Sequence, residues 1–129
     1  MIFTGEDAVK LIKQVLLALN YMHQKGVIHR DLKLDNIMID IVQVPGGDEE
    51  IVCKLVDFGL ASVTEPEKKA TTQLGTPAFM APEIVKLENY NEKVDTWSIG
   101  VLLYYIMTQK LPFGDSKSKK ETIKCVINE

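Results

Sequence analysis

The stretch Thr96 to Thr108 is apolar nearly all round and carries no charged side chain. Such a stretch has no face to give to water, so in a soluble fold it predicts a helix buried at the centre of a helical domain. Its longest apolar run, Trp97 to Met107, is interrupted by Ser98 and Gly100 and falls well short of the roughly 20 residues that cross a bilayer. No membrane insertion is expected. The rest of the chain must therefore cover this helix, and a length of 129 residues sets one domain as the expectation, with enough surface to bury a single core.

Upstream, apolar residues recur at helical spacing from Asp7 to Gln24, through Val9, Ile12, Leu16 and Leu19, with Leu11 and Val15 widening the stripe. Thr4 and Asp7 have the spacing of a capping box, with Asp in place of Glu or Gln, and Gly26 is a plausible stop. Val27-Ile28 opens a short extended piece that leads into a polar cluster, His29 to Asn36, which no regular element explains. Ile37, Ile39 and Ile41 alternate with Met38 and Asp40, and Ile51 to Val56 is again apolar and β-branched. Two strands flanking Pro45-Gly46-Gly47-Asp48 predict a hairpin with a solvated tip at Asp48-Glu49-Glu50. Gly59 to Pro82 is rich in Thr, Gly, Pro and charge without periodicity, and ordered loops of that length are usually functional. Ser116 to Glu129 predicts a partly amphipathic helix. The fold class read from these elements is α+β, mainly helical with one small hairpin.

Composition removes several functions. Lys+Arg 15 against Asp+Glu 18, with no basic run longer than two residues, gives no electrostatic footprint for nucleic acid or an anionic membrane. Cys53 and Cys125 have no metal-ligand spacing and fit a reducing, intracellular setting as small buried side chains. The acidic first residues do not resemble an export signal, so a cytoplasmic or otherwise intracellular location is expected. A P-loop hydrolase is excluded because G-x-x-x-x-G-K-[ST] does not occur.

Three short segments occur in order: His29-Arg30-Asp31-Leu32-Lys33-Leu34-Asp35-Asn36, then Asp57-Phe58-Gly59, then Ala81-Pro82-Glu83. Each alone is weak, but their order, with a hairpin between the first two and a long loop between the last two, resembles the protein-kinase set of H-R-D-L-x-x-x-N, D-F-G and A-P-E. The resemblance covers the chain from its first helix to about Phe113. It implies the helical C-terminal lobe of a Ser/Thr protein kinase, a partial domain over residues 1–129. Within it the catalytic loop would be 29–36, the activation segment 57–83 and the buried helix about 95–108. The cofactors implied are ATP and Mg2+, and the partners are protein substrates presenting Ser or Thr.

The resemblance assigns roles residue by residue. Asp31 becomes the base that orients the substrate hydroxyl, and Lys33 adds point charge beside the transferring phosphate, a lysine that marks Ser/Thr kinases. Asn36 and Asp57 become magnesium ligands carried by the flanks of the hairpin. Met38 and Val56 would line the adenine pocket. Arg30, the only arginine in the chain, would receive a phosphate on Thr72, or on its neighbour Thr71, in a bidentate fork. Ser62 stands where many relatives place a second basic residue for that phosphate. Leu74, Gly75 and Thr76 would dock substrate, with Thr76 bonding near Asp31 and Lys33. His29, Phe58, Gly59, Glu83 and Asp95 are structural, Asp95 capping the backbone of the His29 to Asp31 turn. Asp35 stands where relatives often face a basic substrate side chain. Gly75 to Glu83 and Trp97 to Tyr105 look similar to the calcium/calmodulin-regulated group, which would bring calmodulin-type or upstream-kinase regulation.

Blander readings stand beside these. Thr71 and Thr72 serve equally as loop polar residues, Phe58 and Trp97 as core aromatics, and His23 as a surface or boundary histidine. None of the eight glycines forms the G-x-G-x-x-G that covers ATP phosphates, and no V-A-I-K strand occurs. The resemblance then implies that the N-terminal lobe is absent, that Glu83 lacks its family arginine, and that this piece is inactive alone with an exposed apolar helix. A non-catalytic interaction module, binding through its docking strip, is the alternative.

Overall fold

In the computed structural model, residues 4–57, 62–63, 77–114 and 118–128 are described. The order is α1 (Gly5–Gln24), β1 (Val27–Ile28), a 3-10 turn (Leu34–Asn36), β2 (Ile37–Gln43) and β3 (Glu49–Leu55). There follow β4 (Ser62–Val63), a second 3-10 turn (Pro77–Phe79), α2 (Pro82–Val85), α3 (Lys93–Thr108) and α4 (Lys119–Asn128).

Helix α1 starts where the Thr4 hydroxyl accepts the Asp7 N–H at 3.2 Å and the Asp7 carboxylate accepts the Thr4 N–H at 3.0 Å, a full capping box. The Thr4 hydroxyl and then its backbone N–H, both bonded to the Asp7 carboxylate, hold that group below its usual pKa. The helix ends at Lys25, after which Gly26 takes a φ of 73° that favours glycine. Its buried face is Ala8, Leu11, Ile12, Val15 and Leu19. The expected stripe through Val9 and Leu16 is thus displaced, since these are 66% and 46% exposed. Apolar residues occupy more than half of this helix's circumference, so periodicity cannot choose among them, and the neighbouring elements do.

Strands β2 and β3 pair antiparallel from Ile37↔Leu55 to Gln43↔Glu49. At the tip, Gly46 and Gly47 adopt φ of 113° and 88°, and the Val44 N–H reaches the Asp48 carbonyl at 3.0 Å. One face of the hairpin (Ile37, Ile39, Cys53, Leu55) packs on a core that α1 and α3 build from Leu11, Val15, Ile99, Leu102 and Ile106. Gln14 ties the hairpin down: its Nε2 donates to the Ile51 carbonyl at 2.7 Å and its Oε1 accepts the Cys53 N–H at 2.9 Å. The Cys53 thiol lies 3.7 Å from the Leu11 carbonyl, and burial pushes its pKa up, as befits a packing residue.

A second core joins Ile28, Met80, Ala81, Ile84, Val85, Val94 and Val126, with Trp97 stacked on Phe113 at 5.5 Å between ring centroids. The Ser98 hydroxyl donates to the Phe79 carbonyl at 2.7 Å and ties α3 to the second 3-10 turn. Helix α3 is not buried all round, which corrects the first expectation from its composition. Val94, Asp95, Ser98, Ile99, Val101, Leu102 and Ile106 face inward, whereas Tyr104 and Met107 are 47% and 58% exposed. Among the described residues α1, the hairpin and the Pro77–Phe79 turn pack on this helix and Phe113 stacks on its Trp97, while Tyr104 and Met107 keep about half of their surface in solvent. The stretch expected to be irregular after Gly59 contains β4, which pairs with β1 as Val27↔Val63 and Ile28↔Ser62. No helix among the described residues is long and apolar enough to cross a membrane.

Candidate active site

The polar cluster His29 to Asn36, expected to lack any regular element, is irregular only as far as Lys33 and ends in the Leu34–Asn36 3-10 turn, and its start is held from behind by one buried carboxylate. Asp95, in the first turn of α3 and fully buried, accepts the His29 N–H through Oδ2 and the Arg30 N–H through Oδ1, both at 2.9 Å. The same Oδ2 lies 2.8 Å from Nε2 of His23. Three partners satisfy a carboxylate that would otherwise be costly to bury. This grip matters because Arg30 has a φ of 69°, a left-handed conformation that disfavours a side-chain-bearing residue and persists only where neighbours enforce it.

His29 is fully buried. Its Nδ1 accepts the Asp31 N–H at 3.2 Å, which leaves the ring proton on Nε2, 3.4 Å from the Val56 carbonyl. The ring therefore links the loop to the end of the hairpin. Asn36, buried in the first 3-10 turn, donates from Nδ2 to the Asp31 carbonyl at 2.7 Å and to the Asp31 carboxylate at 3.2 Å. Lys33 Nζ stands 3.9 Å from that same carboxylate, an ion pair rather than a direct hydrogen bond. Asp31, Lys33 and Asn36 are thus brought together around one carboxylate oxygen.

The hairpin places Asp57. The Asn36 carbonyl accepts the Val56 N–H at 2.9 Å, continuing the ladder by one pair beyond Ile37↔Leu55. Asp57 follows directly, exposed and with a φ of 59°. Register puts Met38 and Val56 on the same face as Asn36, opposite the face packed on α1. Met38 is 63% exposed there and Val56 is half-buried. Because both Asn36 amide hydrogen bonds come from Nδ2, its Oδ1 has no partner among the described residues. That oxygen and the Asp57 carboxylate are hard donors of the kind a small divalent cation takes, with its other positions left for water or phosphate oxygens.

Arg30 Nη1 donates to the Tyr90 hydroxyl at 3.1 Å. Tyr90 lines an open groove of about 380 Å3 with Glu83, Asn89, Asn91 and Lys93. Among the described residues no cation lies within ion-pair distance of the Glu83 carboxylate. Phe58, Gly59, Thr71, Thr72, Leu74, Gly75 and Thr76 lie outside the described residues.

Three residues of this arrangement escape the sequence reading. His23 is a boundary histidine, as expected, but it is also a partner of Asp95, which that reading does not supply; its position four residues after Leu19, on the inward face of α1, is the signal that could have found that role. Gln14 and Tyr90 carry no such signal, because each acts on a partner remote in sequence.

The sequence matches the protein kinase domain over residues 1–129. It is 40% identical over 112 residues to a probable myosin light chain kinase of Dictyostelium discoideum, covering 86% of this chain and 27% of that protein. It is 40% identical over 114 residues to calcium-dependent protein kinase 4 of Plasmodium berghei, covering 88% of this chain and 21% of the relative. It is 39% identical over 128 residues to human ribosomal protein S6 kinase alpha-3, covering 98% of this chain and 16% of the relative. The chain therefore spans about a quarter or less of the length of these curated relatives. A domain match along its whole length, together with a loop that gathers Asp31, Lys33 and Asn36, makes this chain a member of the protein kinase family.

Proposed function

We propose that the chain supplies the helical, C-terminal lobe of an ATP-dependent kinase that transfers the γ-phosphate to Ser or Thr hydroxyls of protein substrates. The observation that carries this reading is the shared Asp31 carboxylate, with the Asn36 amide at 3.2 Å and the Lys33 ammonium at 3.9 Å. In it, Asp31 accepts the hydrogen bond of the incoming hydroxyl and orients it, and the Asn36 amide keeps the carboxylate from rotating away. Lys33 lends positive charge on the same side, where charge on the transferring phosphate must be balanced. Asn36 Oδ1 and Asp57 would hold Mg2+, which when bound neutralises phosphate oxygens. Met38 and Val56, on one face of the hairpin, give the nucleobase an apolar seat.

The reading extends to Arg30 as receiver of a phosphate on Thr72 or Thr71, and to Leu74, Gly75 and Thr76 as the docking strip. Similarity to a calcium-dependent protein kinase supports calmodulin-type or upstream-kinase control of the whole protein. Within the 129 residues no glycine triplet or V-A-I-K strand supplies the phosphate cover, so transfer by the chain alone should be undetectable.

The test is magnesium-dependent transfer to Ser, Thr and Tyr peptides by this chain joined to a glycine-rich lobe of a similar kinase, with Asp31→Asn as the paired variant. Transfer to Ser and Thr that falls at least about 1,000-fold in the variant, at unchanged melting temperature, is expected. A variant within about tenfold of the parent, or a preference for Tyr, would overturn the reading.

A further inference from the structure

We propose that the outer edge of β2, along Ile39, Ile41 and Gln43, docks an extended segment of a partner protein that carries a lysine or arginine opposite Asp40. Docking there does not depend on the transfer reading.

The bonds of the hairpin fix which groups face outward. The Val56 N–H donates to the Asn36 carbonyl and the Val44 N–H to the Asp48 carbonyl, so the even-numbered residues from 36 to 44 direct their backbone groups at β3. Ile39, Ile41 and Gln43 therefore turn theirs away from it. The opposite edge agrees, since the groups that Gln14 takes belong to Ile51 and Cys53, the register partners of Ile41 and Ile39. Helix α1 thus covers β3, whereas among the described residues no strand or helix is bonded to the outer edge of β2. An open edge of this kind is a template for another strand.

The Ile41 N–H does find an acceptor, the Asp40 carboxylate at 2.9 Å, but that group belongs to its own strand. A basic side chain across the edge gives the carboxylate a charged partner, and the Ile41 N–H is then released to the incoming backbone. Charge selects the occupant. Residues 37–55 carry Asp40, Asp48, Glu49 and Glu50 against Lys54 alone, so a second copy would lay acid against acid. A strand with basic residues at alternate positions meets Asp40 favourably instead. Its remaining residues lie beside Ile39, half-buried, and Ile41, 48% exposed, which suit β-branched neighbours.

The probe is a blocked heptapeptide of alternating valine and lysine, with a valine and glutamate heptapeptide as its counterpart. Each is titrated into the 129-residue chain, and amide hydrogen exchange is read by NMR. At saturating lysine peptide the Ile39 and Gln43 amides should slow by at least about fivefold, the scale of one modest hydrogen bond, while the Asp40 and Val42 amides, already bonded to β3, stay as they were. This alternation separates strand addition from ionic attraction to an acidic surface. The glutamate peptide should slow neither group. In Asp40→Lys the preference for the lysine peptide should fall by at least about threefold, because one opposite-charge pair becomes a like-charge one. Ile39 and Gln43 amides unmoved by the lysine peptide, or odd and even amides slowed alike, would overturn the proposal. So would equal slowing by both peptides, which removes the role of Asp40, and slowing that needs no peptide and grows with chain concentration, which makes the occupant a second copy.

Discussion

Replacing Asp95 by Asn keeps the shape of the most heavily used buried side chain and removes its chemistry. The two backbone N–H groups of His29 and Arg30 point at different oxygens of the carboxylate, each at 2.9 Å. An amide has one acceptor end, so whichever way Asn is turned its NH2 confronts one of the two N–H donors. That loses a charge-assisted bond and leaves a donor without a partner in a fully buried site. Together these cost about 4 kcal/mol, and release of the left-handed Arg30 returns about 1 kcal/mol. A net loss near 3 kcal/mol, at a urea dependence of about 2 kcal/mol per molar, lowers the unfolding midpoint by about 1.5 M. Urea titration followed by circular dichroism measures it, and hydrogen exchange should show the His29 and Arg30 amides losing protection first. His23→Gln should cost less, about 1 kcal/mol, since His23 makes one contact from a partly exposed position. A midpoint for Asp95→Asn within about 0.3 M of wild type would refute the claim that this carboxylate holds the loop.

Three further perturbations follow from local geometry. Gly114→Ala should destabilise the chain by more than about 2 kcal/mol, because a Cβ there would lie 2.7 Å from Cα of Thr122 and the residue has a φ of 62°; a thermal melt within 1 °C of wild type would contradict it. Gln14→Leu should cost about 1–3 kcal/mol and speed exchange of the Cys53 amide, which loses its acceptor; an unchanged Cys53 amide would refute the bond. The Asp7 carboxyl should titrate below 3.8 and move up toward that value in Thr4→Ala, as read from its 13C shift. A depressed carboxylate pKa means that the capping contribution is present above the unfolded value and is lost as pH falls through the folded one, so acid should fray α1 from its first turn.

Local features are the ones the sequence makes legible. The capping box at Thr4 and Asp7 needs only four consecutive residues, and the hairpin needs only two β-branched runs flanking Pro45 to Asp48, so both can be read without a third dimension. The inward face of α1 cannot be read that way: Leu16 and Leu17 are as apolar as Leu11 and Leu19, and only the placement of α3 and the hairpin decides between them. The same reasoning explains α3, whose composition says apolar on every side while Tyr104 and Met107 meet solvent. At the site, the motif singles out Asp31, Lys33 and Asn36, and the fold gathers them around one oxygen. Of the residues that hold this loop, Asp95 is supplied by the resemblance and His23 by its place on the inward face of α1, whereas the Arg30–Tyr90 contact spans 60 positions and leaves no local period to detect.

The amide of Gln14 has a consequence outside stability. A β-hairpin has two open edges, and each is a template on which another copy's strand can add. On the β3 side the Ile51 carbonyl and the Cys53 N–H, the groups an incoming strand would use, are already bonded to a side chain that imitates a peptide unit. Helix α1 thereby closes that edge to recruitment, and a chain that loses Gln14 would regain a sticky border beside Ile51 and Val52, so self-association rather than unfolding would be its more damaging fault.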